Sequence, residues 1–365
     1  MLVDPRCLDL SSPFQEFKMP GENRPMNVFV TGSSGFVGRA VVRRFLKNNW
    51  KVTALVHPAE MDRFPFQQNE RLNTVVAELN DVGTKLIPPE SVIVHLAAKV
   101  HTVPKTETER QDFFQVNRDG TIHLAEAAKR CGATAFVFVS TSGVYGDLLS
   151  HRTCSENDEP QPRTPYTKSK HEAEVGLLAM QSLSFPIVIL RPSVMFGPGD
   201  RGNFRKMFRM LYNGFIVLPG KAKAKKSILY VEDLAATIEF AASRPECFKQ
   251  RIYNVAAPEP YTMLDMIADV EKTTRKKSFT LTVPTGLLRL PCWCGDVLES
   301  LLRVELLIST RKLQVIQSDA RIDVSRLAGV LEGHWMFRTF KQGFEDYVRS
   351  GESPWSPSIL NDQQG

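Results

Sequence analysis

Short runs of apolar residues recur along the first half of the chain, and segments with helical spacing of apolar positions lie between them. Uninterrupted apolar runs are typical of strands that are buried on both faces of a parallel sheet. The pattern predicts strands at residues 27–30, 50–57, 75–79, 91–98, 135–140 and 187–190. Strands that alternate with helices predict an α/β fold, a doubly wound parallel sheet of the Rossmann type.

The second half of the chain has a less regular pattern. Helices are predicted at residues 203–213, 263–272, 287–307 and 339–348, with short strands at 228–231 and 252–255. We expect a smaller α-rich substrate-binding lobe that is interleaved with the last sheet elements. The predicted organisation is an N-terminal extension (1–25), an NAD(P)-binding Rossmann domain (26–195) and the substrate lobe (196–365).

Composition narrows the class of protein. The 365 residues are 42% hydrophobic and 24% charged, with a net charge of +6, which is ordinary for a soluble globular chain. Basic residues are scattered apart from the run 221–226, so we expect no nucleic-acid partner. No uninterrupted apolar stretch of membrane-spanning length and no signal peptide are apparent, and the six cysteines form no CxxC pair. These features predict a cytoplasmic protein without membrane partner or metal site.

Residues 31–38, TGSSGFVG, lie where the first predicted strand meets the first predicted helix. In this context Gly32 permits a tight turn, Gly35 lets the backbone approach a pyrophosphate, and Gly38 lets helix and strand pack closely. The helix N-terminus presents free N–H groups to the phosphates. The predicted cofactor-binding residues of this stretch are Gly32, Ser34, Gly35, Phe36, Val37 and Gly38.

Two further strand ends belong to the predicted cofactor site. His57 ends the second strand, where an acidic residue favours NAD and a basic residue favours NADP. A histidine favours neither, so the choice between NAD and NADP stays open at this point. Glu78 and Leu79 end the third predicted strand, where they could lie beside the adenine.

The segment STSGVYG (140–146) follows the fifth predicted strand, and YTKSK (166–170) opens a helix about twenty residues later. Tyr166 and Lys170 are four residues apart and therefore share one helix face. A lysine ammonium near a phenol lowers the pKa of that phenol. We therefore expect Tyr166 to take a proton from a sugar or alcohol hydroxyl, with Thr141 bonded to the same oxygen, while hydride passes to the nicotinamide.

TGSSGFVG, the strand end HLAA, Asn117, STSGVYG, YTKSK and RPSVMFGPG occur in this order between residues 31 and 199, within a resemblance that covers roughly residues 26–350. As a set they resemble the extended short-chain dehydrogenase/reductase family, in its NAD-dependent nucleotide-sugar epimerase and dehydratase group, which is UDP-glucose 4-epimerase-like. The resemblance implies bound NAD, with Thr141, Tyr166 and Lys170 as catalytic residues. It adds cofactor contacts and a structural asparagine in the central helix: Leu96, Ala97, Ala98 and Asn117, with Tyr166 and Lys170 also contacting the cofactor.

The resemblance also implies a nucleotide-sugar substrate. Its predicted contacts are Thr141 and Ser142, Asn203 near a phosphate, and Lys226, which stands where relatives often place an arginine against the pyrophosphate. Lysine neutralises charge there without clamping two oxygens at once. The substrate-lobe segments most resemble those of bacterial surface-polysaccharide enzymes. The resemblance allows a homodimer.

Departures from the family pattern bear on the reaction. The 4,6-dehydratases carry Asp-Glu directly after the catalytic threonine, whereas this chain has Ser142 and Gly143, so we expect no dehydration. Val194 replaces an asparagine that is usual in UDP-glucose 4-epimerases. We expect an epimerase acting at C4 of a nucleotide-linked hexose. The alternatives are an NAD(P)H-dependent 4-keto-sugar reductase and, in another class, a non-catalytic NAD(P)-binding redox sensor.

Overall fold

A computed structural model describes residues 26–100, 104–200, 202–287, 313, 316–332 and 337–351. The predicted extension at 1–25 and nearly all of the predicted helix at 287–307 lie outside these residues. In chain order the strands are β1 Asn27–Thr31, β2 Lys51–Val56, β3 Leu72–Val76, β4 Val92–His95, β5 Ala135–Val139, β6 Thr153–Cys154, β7 Ile187–Pro192, β8 Val194–Phe196, β9 Phe215–Pro219, β10 Lys225–Lys226, β11 Ile228–Tyr230, β12 Ile252–Val255, β13 Tyr261–Thr262, β14 Phe279–Val283 and β15 Arg321–Ile322. The α-helices are α1 Phe36–Lys47, α2 Glu107–Phe114, α3 Gly120–Arg130, α4 Pro165–Met180, α5 Asn203–Tyr212, α6 Val231–Ser243, α7 Met263–Thr274, α8 Ser325–Leu331 and α9 Phe340–Arg349.

A seven-stranded sheet forms the centre of the described protein, in the order β12-β7-β5-β4-β1-β2-β3. Every neighbouring pair is parallel. The chain builds outward from β1 to β3 and then returns to the other side of β1 with β4. The predicted doubly wound sheet is therefore confirmed, and its topological switch point lies between β1 and β4. Ligands of such sheets bind at this point, beyond the carboxyl ends of the strands.

The core lies on both faces of this sheet, as the apolar strands require. Val28 and Val30 of β1 belong to a buried cluster with Val41 of α1 and Leu234 of α6. Phe29 points to the opposite face and belongs to a second buried cluster, which α3 and α4 complete. Helices on both faces therefore hold the strand ends of the switch point in fixed positions.

The sequence between the fourth and fifth predicted strands also predicts one continuous helix over residues 112–130, and the structure interrupts it. A π-helical turn, Gln115–Asp119, separates α2 from α3. Such single turns widen the backbone spacing by one residue. Here the turn buries Asn117 completely.

The second half of the chain adds a further group of packed helices. It also adds one strand to the central sheet, where β12 pairs with β7. Helices α5, α7 and α9 pack around a buried aromatic cluster that includes Phe208, Phe340 and Phe344. The Arg338 guanidinium donates to the buried carboxylate of Asp233 on α6. This bond joins the aromatic cluster to α6, which packs on the central sheet. Among the described residues, no helix has both the length and the apolar character needed to cross a bilayer.

Candidate active site

The glycine-rich loop after β1 has the conformation that its sequence predicts. Gly32 has φ +65°, and a Cβ there would lie 2.6 Å from the backbone nitrogen of Ala97. The N–H of Gly35 donates to the carbonyl oxygen of Gly32 over 3.1 Å and closes the tight turn. A Cβ at Gly38 would lie 2.0 Å from the same carbonyl oxygen. Glycine is therefore required at Gly32 and Gly38 by backbone packing.

Helix α1 begins at Phe36 directly after this loop. Its N-cap, Gly35, makes no side-chain cap bond, and the first turn of α1 contains no acidic residue. The backbone N–H groups and the positive end of the helix dipole are thus available to an anion. This arrangement fits the pyrophosphate of a dinucleotide, as predicted for the stretch from Gly32 to Gly38.

The side chains beside the loop connect it to β2 and to the turn that follows. Ser33 donates to the carbonyl of Leu55 over 2.7 Å, and Ser34 donates to the carboxylate of Glu60. His57 has another local role, because its Nδ1 accepts from the N–H of Ala59 and caps the 3-10 turn Pro58–Arg63. The sequence prediction considered only His57 at the end of the strand and missed Glu60. The only sign of Glu60 in the sequence is that an acidic residue stands three positions after His57.

The predicted adenine contacts lie beyond the edge strand. The third strand ends at Val76, three residues earlier than predicted. Glu78 is exposed and precedes a short 3-10 turn, whereas Leu79 is half-buried and packs over Gly120. Both residues therefore follow the carboxyl end of β3.

A buried hydrogen-bond chain joins the switch point to the central helix. His95 is fully buried at the end of β4, and its ring contacts Thr31 through Nδ1 (2.6 Å) and Thr121 through Nε2 (2.8 Å). The Thr121 hydroxyl donates to the carbonyl of Asn117, so it accepts from Nε2–H of His95. Burial, followed by the charge of Lys170, holds the pKa of His95 well below its ordinary value of 6.5.

The same chain of hydrogen bonds extends to the strand end HLAA (residues 95–98) and to α4, which carries Tyr166. The Thr31 hydroxyl oxygen accepts the N–H groups of Leu96 and Ala97, each over 3.2 Å. Asn117 donates to the hydroxyl of Ser169, which donates to the carbonyl of Tyr166. Ala98 is half-buried in the loop that follows. His95 was a lone histidine in the sequence, because its partners are 64 and 26 residues away.

The predicted catalytic residues converge beyond β5. Thr141 follows this strand and accepts the N–H of Gly143 over 3.1 Å. Tyr166 lies in the first turn of α4, and the Thr141 side chain is close enough to its phenol to favour the phenolate. Lys170, one turn later, is 1% exposed and its Nζ lies 3.9 Å from the centroid of the Phe138 ring on β5.

The charge states of these residues differ from the expectation. Burial raises the pKa of Tyr166 to about 12, against the smaller effect of its hydrogen bond to Thr141. Burial also lowers the pKa of Lys170 to about 7, although the nearby Glu174 carboxylate opposes this shift. The predicted lowering of the Tyr166 pKa by Lys170 is therefore absent from the protein's own electrostatics, because both groups are desolvated.

A buried ion pair lies behind Lys170. Glu174 on α4 accepts two hydrogen bonds from the Arg191 guanidinium, at 3.0 and 2.6 Å. Burial alone would raise the pKa of Glu174, but the bonds from His171 and Arg191 hold it below its ordinary value. Arg191 also donates to the hydroxyl of Tyr145 over 3.0 Å. The pair fixes α4 to β7 and thus fixes the face that carries Tyr166.

The predicted substrate residues are distributed over several elements. Ser142 is the first residue of the 3-10 turn after Thr141, whereas Asn203 is exposed at the first position of α5. Lys226 is half-buried on β10, where its ammonium donates to the carbonyl of Ser318 and burial lowers its pKa. Ser142 therefore directly follows Thr141, whereas Asn203 and Lys226 lie on elements of the second half of the chain.

A family model for the NAD dependent epimerase/dehydratase family matches residues 28–256 of this chain, which is more than half of it. The chain belongs to this family. The resemblance seen in the sequence is thereby confirmed, together with an enzyme of the oxidoreductase type and NAD as cofactor. The Gly32–Gly38 loop and the uncapped start of α1 fit that cofactor.

Two curated members of the family are similar over most of the chain. The UDP-glucose 4-epimerase of Vibrio cholerae is 28% identical over 74% of this chain and 80% of its own length. The N-acetyl-alpha-D-glucosaminyl-diphospho-ditrans,octacis-undecaprenol 4-epimerase of Escherichia coli O157:H7 is 24% identical over 82% of this chain and 88% of its own length.

A solved structure shows the same fold. The UDP-glucuronic acid 4-epimerase from Bacillus cereus, in complex with NAD, has a TM-score of 0.69 at 21% identity. The match covers 90% of this chain and 100% of that chain.

Proposed function

We propose that this protein is an NAD-dependent 4-epimerase of a nucleotide-linked hexose, in sugar-nucleotide or surface-polysaccharide metabolism. The observation that carries the proposal is the convergence of Thr141, Tyr166 and Lys170 beyond β5, next to a loop suited to a dinucleotide. Both curated relatives described above are named as 4-epimerases, one of a nucleotide sugar and one of a sugar diphosphate on a polyprenol. This agreement supports C4 as the reacting carbon.

In this proposal the protein moves one proton. The Tyr166 phenolate takes the proton of the C4 hydroxyl, and the Thr141 hydroxyl bonds the same oxygen and holds it in place. Bound NAD would supply a hydride acceptor for C4 that can return the hydride to the opposite face, and its oxidised ring would carry a positive charge that favours the phenolate. Tyr166 then gives the proton back to the C4 oxygen, and because the hydride would also return to C4, the reaction has no net redox change.

The remaining residues bind and orient. We assign the N–H groups of α1 and the loop from Gly32 to Gly38 to the pyrophosphate of the cofactor, and Lys170 to the nicotinamide ribose. Leu96, Ala97 and Ala98 form the wall next to them at the end of β4. Ser142 is assigned to the sugar, and Asn203 and Lys226 are assigned to the phosphates of the substrate.

The test is incubation of the purified protein with a panel of UDP-hexoses and UDP-N-acetylhexosamines. Proton NMR follows the coupling of the sugar H4, and absorbance at 340 nm follows the reduced nicotinamide. Interconversion of C4 epimers without a net absorbance change is the expected result. Stoichiometric oxidation of NADPH by a 4-keto sugar would identify a reductase instead. Bound NAD without conversion of any sugar would favour the redox sensor.

A further inference from the structure

An acidic side chain from the turn after β2 contacts the glycine-rich loop. The Glu60 carboxylate accepts a hydrogen bond from Ser34, which is 7% exposed in that loop. Glu60 lies in the first turn of the 3-10 segment Pro58–Arg63, which begins directly after His57. The contact therefore joins the loop after β1 to the segment after β2, and these two segments flank the adenosine half of a dinucleotide in such folds.

The residue directly after β2, His57, makes a local hydrogen bond. His57 turns its Nδ1 to the N–H of Ala59, so it caps the turn that carries Glu60. A carboxylate at this end of the sheet accepts hydrogen bonds from ribose hydroxyls and repels a 2′-phosphate. Glu60 brings that charge to the loop from three residues beyond the strand end.

The basic groups nearby do not cancel this assignment. Arg39 in the first turn of α1 donates to the carbonyl of Gly199, and Arg63 is exposed at the far end of the same 3-10 segment. The Glu60 carboxylate is held against the loop by Ser34, whereas the Arg39 guanidinium is directed to the carbonyl of Gly199. We propose that Glu60 is the residue that selects NAD over NADP in this protein. The inference rests on the nucleotide site of the proposed function and is independent of the sugar.

The test compares Glu60→Gln with the control Asp62→Asn. Both variants remove one negative charge from the same exposed turn, and the glutamine keeps an oxygen that can accept from Ser34. After removal of bound nucleotide, the dissociation constants of NADH and NADPH are measured by the fluorescence of the reduced nicotinamide, with no sugar present. We expect Glu60→Gln to shift the affinity ratio toward NADPH by about tenfold or more, and Asp62→Asn to leave it near that of the wild type.

Ionic strength gives a second measurement. Glu60 is half-buried and still reached by solvent ions, so salt screens its repulsion of a 2′-phosphate, and the preference of the wild-type protein for NADH should weaken between 50 and 500 mM salt. In Glu60→Gln that dependence should nearly vanish. An unchanged affinity ratio in Glu60→Gln would overturn the proposal. So would an equal loss of both nucleotides in a variant whose circular dichroism is native, since Glu60 would then only position the loop. An inactive wild-type protein that still distinguishes the nucleotides would contradict the epimerase function alone.

Discussion

Two tyrosines near the carboxyl end of β5, the half-buried Tyr166 and the fully buried Tyr145, have different partners. Burial raises the pKa of both Tyr166 and Tyr145 to about 12. Tyr166 lies near the Thr141 side chain, whereas Tyr145 donates to the side chain of Asn254 over 2.8 Å and accepts from Arg191. Replacement of each tyrosine by phenylalanine therefore distinguishes a loss of proton transfer, expected at Tyr166, from a loss of stability, expected at Tyr145.

We expect Tyr166→Phe to lower kcat by about 10²- to 10⁴-fold, because the variant lacks the group that moves the proton. NADH affinity should stay near that of the wild type. Tyr145→Phe should keep turnover and lower the unfolding free energy by about 1–3 kcal/mol, because it leaves buried partners of Tyr145 unsatisfied. Steady-state kinetics and urea denaturation of both variants provide the measurements. Near-normal turnover in Tyr166→Phe would show that another group is the base.

The buried neutral His95 makes stability depend on pH. Its pKa in the folded state is below the ordinary value of 6.5, so the unfolded chain binds a proton that the folded chain does not. This contribution to stability is present above pH 6.5 and is lost as the pH falls toward the folded-state pKa, by up to about 1.4 kcal/mol per pH unit. His95→Asn should remove this part of the acid slope in urea denaturation between pH 7.5 and 5.

The matched control for His95 is His123→Asn, because His123 is half-buried and its ring is hydrogen-bonded to the backbone carbonyl of Val82. That variant should keep the acid slope of the wild-type protein. A slope in His95→Asn equal to that of the wild type would contradict the assignment of a neutral buried imidazole.

The spacing of the proposed catalytic residues is visible in the sequence, whereas the contacts around them are not. Tyr166 and Lys170 are four residues apart, and helical geometry alone places them on one face. The partners of His95 and Glu60 come from other elements, so no local spacing reveals them. The pKa of Tyr166 was also expected to be low, and the desolvation that raises it is a property of the folded protein.

At the scale of single elements, the N-terminus of α4 decides where Tyr166 lies. Thr164 accepts the N–H of Thr167, and the Thr167 hydroxyl accepts the N–H of Thr164, both over 3.1 Å. This capping box fixes the entry of the chain into the helix two residues before the catalytic tyrosine. Helix α7 starts with the same device, built from Thr262 and Asp265.

Thr164→Ala should lower the unfolding free energy by about 1 kcal/mol and kcat by roughly tenfold, because the frayed helix start displaces Tyr166. Thr262→Ala should have a similar cost in stability and leave kcat unchanged. Urea denaturation and steady-state kinetics on the four combinations of these two substitutions measure both effects. A loss of kcat in Thr262→Ala as large as in Thr164→Ala would mean that global stability, and not the helix start, limits the rate.

Apolar runs predict strands well because the central sheet is buried on both faces. All six predicted strands of the first half are present, and only their ends differ. The π-helical turn at Gln115–Asp119 was missed, because the apolar spacing of α2 and α3 continues on both sides of it. What stabilises the turn is tertiary: Asn117 bonds the backbone N–H and carbonyl of Lys99 in the loop after β4.

At the scale of the whole molecule, Arg338 and its buried partner Asp233 link α6, which packs on the central sheet, to α9. The Arg338 side chain contacts Asp233 on α6 and also donates to Asp346 on α9 over 2.7 Å. Asp233 is fully buried, and burial raises its pKa although Arg338 opposes this. Arg349 also pairs with Asp346, at 3.1 Å, from a more exposed position.

Arg338→Met should lower the unfolding free energy by about 3 kcal/mol or more, because it leaves Asp233 buried without its partner. Asp233→Asn combined with Arg338→Met should recover part of that loss. Arg349→Met removes a more exposed pair and should cost less than about 1 kcal/mol. Urea denaturation of the three variants measures the difference. Equal costs for Arg338→Met and Arg349→Met would show that the buried pair contributes no more than the exposed one.

The order of strands in the central sheet has a consequence for synthesis on the ribosome. Strands β1 to β4 come from the first seventy residues of the sheet, but β12 pairs with β7 from sixty residues farther along the chain. A nascent chain that has not yet reached residue 252 has β7 as an open edge, and its unpaired backbone groups can capture another strand. The sheet therefore stays vulnerable to aggregation until late in translation. Its seven strands cannot all pair before β12, in the second half of the chain, has been synthesised.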